Sequence, residues 1–314
     1  MKRKWMILIS IFSMCVLVSS LYACSDKNSL DEDEEFQGIL AEVKDKYEQL
    51  EFEDKQTGKT LSYNLYIPEN YNPNEKYPLI LFMPDLRVEK QKTTSDALGL
   101  GYGGVIWAAE EEQKKHPSFV LVPKYSEKIA NDDFETTDEA EMTVRLLEAI
   151  QNQYSVDENR LYATGQSMGC MTAMYLNTKY PDLFAASLFV SGQWDVSEMD
   201  EFANEKFFYI VAEGDKKAST GMAELKQVLE ANGANISSAV WDATWSADEF
   251  DKAVQTMLSE ENSINFVKFK SGTVLPEGEA EGGNEHMHSF DYAYKIEGVR
   301  DWLFEQVKND KTGN

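Results

Sequence analysis

The sequence predicts an α/β fold, a single doubly wound domain on a mostly parallel sheet, and three observations carry that prediction. Pro78 to Met83 and Phe119 to Val122 are nearly continuous apolar runs, as expected of strands covered by helices on both faces. Further strand-like and helix-like stretches alternate along the rest of the chain without an internal repeat or a second domain. Between one such strand, Arg160 to Thr164, and one such helix, Cys170 to Lys179, stands Gly165-Gln166-Ser167-Met168-Gly169. A serine on a sharp strand-to-helix turn needs glycine two residues to either side, and the turn pushes its Oγ outward.

Taken in order, the chain opens with Lys2, Arg3 and Lys4, an apolar run from Trp5 to Leu21, then Tyr22-Ala23-Cys24. A basic start, an apolar middle and a small residue before a cleavage point make residues 1–23 an export signal. Leu21, Ala23 and Cys24 also resemble a bacterial lipobox, in which Cys24 becomes the lipidated first residue and tethers the protein to a membrane surface in the cell envelope. If the lipobox is not used, the protein is secreted. Residues 24–45 carry the acidic run Asp31 to Glu35 and read as a solvated spacer. The domain is expected over 46–309, followed by a polar tail at 310–314.

Leu61 to Ile67 alternates as a half-buried strand, and Pro68 to Asn74 is turn chemistry. Pro78 to Met83 and Phe119 to Val122 follow as buried strands. The spacing then predicts a helix over Asp138 to Gln153, the elbow strand and its helix, strands over Ala185 to Val190 and Phe207 to Ala212, and helices near Met222 to Ala231 and Asp248 to Ser259. Ile264 to Phe269 is the last strand, Pro276 to Glu285 an exposed loop, and Ala293 to Val307 a final helix.

The chain has 30 Lys and Arg against 55 Asp and Glu, a net charge of −25 that becomes three units more negative when the basic start is removed, so nucleic acid is not a partner. Of three cysteines, Cys15 leaves with the signal and Cys24 is claimed by lipid, so Cys170 has no disulfide partner and reads as a small buried thiol. Gly99, Gly101 and Gly104 spell a dinucleotide fingerprint, but they follow the polar segment Lys90 to Asp96 rather than a strand, so they read as a flexible loop at the site rim.

A serine nucleophile needs a base for its proton and a carboxylate to orient that base. The order serine, acid, histidine excludes His116, which reads as a surface loop residue, and leaves His286 and His288. Asp215 follows the strand ending at Ala212 after a glycine that lets the chain turn, and is the favoured acid; Asp195 is its rival, and Asp291 lies too close to the histidines in sequence.

Tyr66-Ile67-Pro68-Glu69-Asn70-Tyr71, Tyr77 to Phe82, the elbow, Lys179 to Ala186, Ser289 to Tyr294 and Val299 to Phe304 together resemble bacterial α/β-hydrolases of the peptidase and esterase group related to polyhydroxybutyrate depolymerases and prolyl-oligopeptidase-type hydrolases. The resemblance runs from about Leu61 to the end. It implies that the base precedes the Ser-Phe-Asp motif by a few residues, a spacing met better by His286 than by His288. It implies an oxyanion hole formed by the amide of Met168 and one from the loop after Met83. There the group carries His-Gly or His-Asp, whereas this chain has Pro84-Asp85-Leu86; proline has no N–H, so the donor falls to Leu86 or Asp85. The function so implied is hydrolysis of small or polymeric carboxylic esters through an acyl-enzyme, with Ser167, His286 and Asp215 as triad and no metal or organic cofactor. The alternatives are a serine peptidase of the same fold, or a noncatalytic binding lipoprotein that retains it.

Overall fold

The computed structural model describes residues 27–276, 279 and 284–308. The expected signal, Cys24 and the 310–314 tail lie outside the described residues. In chain order the elements are α1 (Lys27–Val43), β1 (Tyr47–Glu53), β2 (Thr60–Tyr66), β3 (Tyr77–Met83), α2 (Glu110–Lys115), β4 (Phe119–Lys124), α3 (Asp138–Gln153), β5 (Val156–Gln166) and α4 (Met168–Lys179). They continue as β6 (Ala186–Val190), β7 (Phe207–Ala212), α5 (Lys216–Ala231), β8 (Ile236–Trp241), α6 (Ala247–Leu258), β9 (Ile264–Phe269), α7 (Glu285–Lys295) and α8 (Glu297–Glu305).

One nine-stranded sheet runs β1-β2-β4-β3-β5-β6-β7-β9-β8. The β1/β2 and β2/β4 pairs are antiparallel and all the others parallel. The continuous apolar runs are explained by the pleat. On β3, Leu79, Leu81 and Met83 enter the core on one face while Ile80 and Phe82 enter the core on the other, so every position from 79 to 83 is buried. β5, which ends at the serine, stands in the middle of the sheet with four strands on each side. The elbow therefore projects from the centre of the sheet.

β1, β8, α1, the short α2 and the final helix depart from the expectation. The edge strands β1 and β8 were not anticipated, because they show mixed polar sequences, Tyr-Glu-Gln-Leu-Glu-Phe-Glu and Ile-Ser-Ser-Ala-Val-Trp, that only half bury. Their formation rests on neighbours, β2 for one and β9 for the other. The acidic segment expected as a spacer includes α1. Phe36, Ile39, Leu40 and Val43 recur at helical spacing and pack against the core that α7 and α8 share. The final helix is two, α7 and α8, broken at Ile296, and α7 begins at Glu285, inside the stretch expected as loop.

Asp54 fastens the end of β1 to α3. Its buried carboxylate accepts two bonds from the Arg145 guanidinium, at 2.7 and 2.8 Å, and two more from Thr57. Arg145 foremost, with Thr57, outweighs the upward push of burial and holds the Asp54 carboxyl well below its ordinary value. Because the folded value is depressed, this contribution is complete above the ordinary carboxylate range and fades as pH falls toward the folded value. Arg145→Met is expected to cost about 3 kcal/mol at pH 7 in chemical denaturation, since it leaves a buried carboxylate without its cation. The gap from wild type should shrink as pH falls from about 5 to 2; an unchanged gap would mean the pair is not what holds this corner.

Candidate active site

Ser167 has φ 52° and ψ −117°, a left-handed conformation rare for a residue with a side chain. The two flanking glycines make it possible. A Cβ on Gly165 would lie 2.4 Å from the Gly169 carbonyl, and one on Gly169 would lie 1.8 Å from the Met83 oxygen. The turn is closed by Ser167 N–H donating to the Val190 carbonyl (3.0 Å) and the Ser167 carbonyl accepting from Met171 N–H (3.0 Å). Gly192 completes the packing: a Cβ there would meet the Ser167 oxygen at 2.7 Å. Cys170, one residue past the elbow, is fully buried, and burial pushes its thiol far up, so it is no nucleophile at neutral pH.

The structure brings three of the sequence-derived candidates together. His286 Nε2 lies 2.9 Å from Ser167 Oγ, and His286 Nδ1 lies 2.5 Å from Asp215 Oδ2. Asp215 is the N-cap of α5, its Oδ1 accepting from Ala218 N–H at 3.2 Å, so one oxygen is fixed by the helix and the other meets the imidazole. Asp215 is buried, whereas the His286 ring remains one-third exposed and its edge meets Phe290, one helical turn on, at 5.1 Å. Ser289 Oγ donates to the His286 carbonyl (2.9 Å) and is bonded to Ser191 Oγ (2.7 Å), which ties the first turn of α7 to the end of β6.

The other candidates go elsewhere. His288 faces Glu279 at 4.0 Å and lines a separate cavity of about 420 Å³ with Arg87, Asp291 and Lys295. Asp195 caps a 3-10 turn through Ser197 N–H and Oγ, at 3.0 and 2.7 Å. Asp291 Oδ1 accepts from Tyr102 N–H at 3.1 Å. His116 is no loose surface residue: it is bonded to Asp301 (2.9 Å) and stacked on Phe304 at 4.4 Å. The segment with Gly99, Gly101 and Gly104 is not a loose rim. Its 3-10 turns bury Gly103 and Gly104, and a Cβ on Gly103 would strike the Phe82 ring at 2.2 Å.

For the oxyanion, Met168 and Leu86 both occupy the first position of a helical turn, where the amide has no acceptor within the turn. Asp85 caps the Leu86–Lys90 turn and is itself pinned, accepting from Arg87 N–H (2.8 Å), the Arg87 guanidinium and Gln166 Nε2 (2.7 Å). Burial pushes the Asp85 carboxyl up, but Arg87 and Gln166 more than reverse this, so it stays an anion. Since Gln166 precedes the serine, this bond couples the loop after β3 to the elbow. The site opens into a cavity of about 270 Å³ that Asp132, Gln193 and Lys217 also line, with Lys217 paired to Asp132 across it. Asp132 and Gln193 lie on separate loops and Lys217 in the first turn of α5, with no pattern in sequence, which is why sequence reasoning missed them.

With this geometry the chain can perform acyl transfer: a nucleophile, a histidine in contact with it and a carboxylate that orients the histidine. A family model described as "Putative esterase" matches residues 55–272. No curated protein matches the chain. Among solved structures, a thermostable esterase superposes with a TM-score of 0.68 at 22% identity over 84% of this chain. The chain spans 64% of the length of that protein. A ferulic acid esterase gives 0.53 at 14% identity, covering 81% of this chain and 98% of its own. The feruloyl esterase module from Clostridium thermocellum, complexed with sinapinate, gives 0.50 at 14%, covering 81% and 88%. At these identities the likeness is one of fold.

Gly169→Ala is expected to destabilise the protein by more than about 3 kcal/mol, because backbone rather than a yielding side chain blocks the new methyl. A thermal unfolding midpoint equal to wild type would contradict the close approach of α4 to Met83. In the wild type Cys170 should react with a thiol reagent only as the protein unfolds.

Proposed function

The chain belongs to this esterase family, and from that premise we propose that it cleaves carboxylic esters with Ser167 as nucleophile, His286 as general base and acid, and Asp215 as the group that orients the imidazole. The observation that carries the reading is the unbroken contact from Asp215 through His286 to Ser167, at 2.5 and 2.9 Å. Ser167 Oγ attacks the ester carbonyl while His286 Nε2 takes its proton. Asp215, bonded to Nδ1–H, holds the tautomer that leaves Nε2 free to accept and stabilises the imidazolium that forms. The carbonyl oxygen gains a negative charge and is met by the amides of Met168 and Leu86, each such donor contributing about 3 kcal/mol to the transition state. As the tetrahedral intermediate collapses, His286 returns the proton to the departing alcohol. Water then repeats the sequence on the acyl-enzyme and frees the acid.

The cavity supports small polar substrates over long acyl chains, because Asp132, Gln193 and Lys217 share its wall with Ser167. Ferulic acid esterases have the same fold, which puts feruloylated and acetylated sugars first in a substrate panel. The proposal includes export and attachment through a lipid on Cys24, supported by the basic start, the apolar run and the Leu-Tyr-Ala-Cys sequence.

Ser167→Ala should remain folded and lose all labelling by a fluorophosphonate probe; labelling at the wild-type level would refute the nucleophile. His286→Ala should lower kcat on a small ester by about 10⁴-fold, whereas His288→Ala should change it by less than about tenfold. Collapse in His288→Ala with normal turnover in His286→Ala would transfer the role of base. For the anchor, Cys24→Ala should move the protein from the detergent-extracted to the soluble fraction or stop it before processing. An unchanged partition and an unchanged mature N-terminal mass would sink the lipobox.

A further inference from the structure

Next to the base stands a carboxylate that the mechanism does not use. Glu285 is fully buried, and it accepts three hydrogen bonds from two loops. Its Oε2 takes Gly214 N–H at 3.0 Å, and its Oε1 takes Ser271 Oγ–H at 3.0 Å and Gly272 N–H at 3.1 Å. Gly214 is the residue before Asp215, and Glu285 is the residue before His286. We propose that Glu285 is a positioning residue, whose carboxylate fastens the backbone before the base to the backbone before the acid and so sets the alignment of His286 with Asp215. The inference rests on reading Ser167, His286 and Asp215 as the catalytic groups.

The packing is specific to this pairing. A Cβ on residue 214 would lie 2.1 Å from the Glu285 carboxyl, so the carboxylate can reach the Gly214 amide only because that residue is glycine. Ser271 and Gly272 follow β9, the strand that pairs with β7, and Asp215 follows β7. Glu285 therefore bonds to the ends of two neighbouring strands at once and refers the start of α7 to the sheet. Stability alone does not call for an anion here, since an apolar side chain of similar size fills a buried site as well without the cost of desolvating a charge. Directional bonds supply what an apolar contact cannot, a fixed register between two turns. With Ser289 holding the His286 carbonyl from the other side, the backbone of the base is pinned both before and after the imidazole.

A double-mutant cycle on kcat and KM for p-nitrophenyl acetate, with folding followed by thermal unfolding, tests this. Glu285→Gln should lower kcat about 100-fold, the effect of a displacement of about 1 Å in a reacting group, and leave KM within about twofold. Asp215→Asn should lower kcat about 10⁴-fold. The double variant should lie within about threefold of Asp215→Asn, because an alignment already lost cannot be lost again. Ser271→Ala, which removes one donor from an exposed position, should lower kcat about fivefold, and only while Asp215 is present; this decides the matter if Glu285→Gln does not fold. A wild-type kcat in Asp215→Asn overturns the triad reading and this role with it. A crippled Asp215→Asn beside losses that multiply in the double variant, or beside silent Glu285→Gln and Ser271→Ala, overturns the positioning role alone.

Discussion

Ser167 is held at φ 52° and ψ −117°, which costs a residue with a side chain about 1–3 kcal/mol, and the rest of the site is arranged around that strain. The turn persists because the chain on either side cannot relax. β5 is locked between β3 and β6, and α4 lies so close to the end of β3 that only glycine fits at 169. Relaxing Ser167 would pull α4 off the sheet and expose Met171, Ala173, Met174 and Leu176, which belong to the core on that face. Burial of each large side chain among these contributes about 1.5–3 kcal/mol, so the core outweighs the strain.

The same close approach brings the elbow up to the loop after β3. Because α4 starts against Met83 and Pro84, the Met168 amide and the turn beginning at Leu86 are neighbours rather than independent loops. Proline at 84 removes one donor, and the Asp85 cap compensates by fixing where the next turn begins. Asp85, Arg87 and Gln166 form a closed set in which the anion has its cation and its amide donor, so the loop has no reason to wander.

On the other side of the serine, His286 and Asp215 come from elements far apart in the chain. Asp215 is 71 residues from His286, and Ser167 is 119. They meet because β7 and β9 are neighbours two and three strands along from β5, with α7 returning across their ends. Polar contacts at the ends of β6, β7 and β9 involve Glu285, Ser191 and Ser289, each buried and each bonded to backbone or to another of the group.

The sequence by itself determined the fold class and the elbow, and it singled out Asp215, which the structure places against His286. Fully apolar strands have few alternatives to a two-sided sheet, and glycines flanking a serine between strand and helix leave little other purpose. Asp215 was legible because a glycine and a carboxylate directly followed a buried strand. Only the tertiary structure shows that His286 rather than His288 meets Ser167, since two histidines two residues apart point to opposite sides of a helix and nothing local says which side faces the serine. It also decided that α1 packs on the domain, that His116 joins Asp301, and that the glycines near 101 are packing positions. Glu285 was illegible for the most general reason. It is one of 55 acidic residues, and its burial depends on a glycine 71 positions away and on two loops that meet it only in the folded chain.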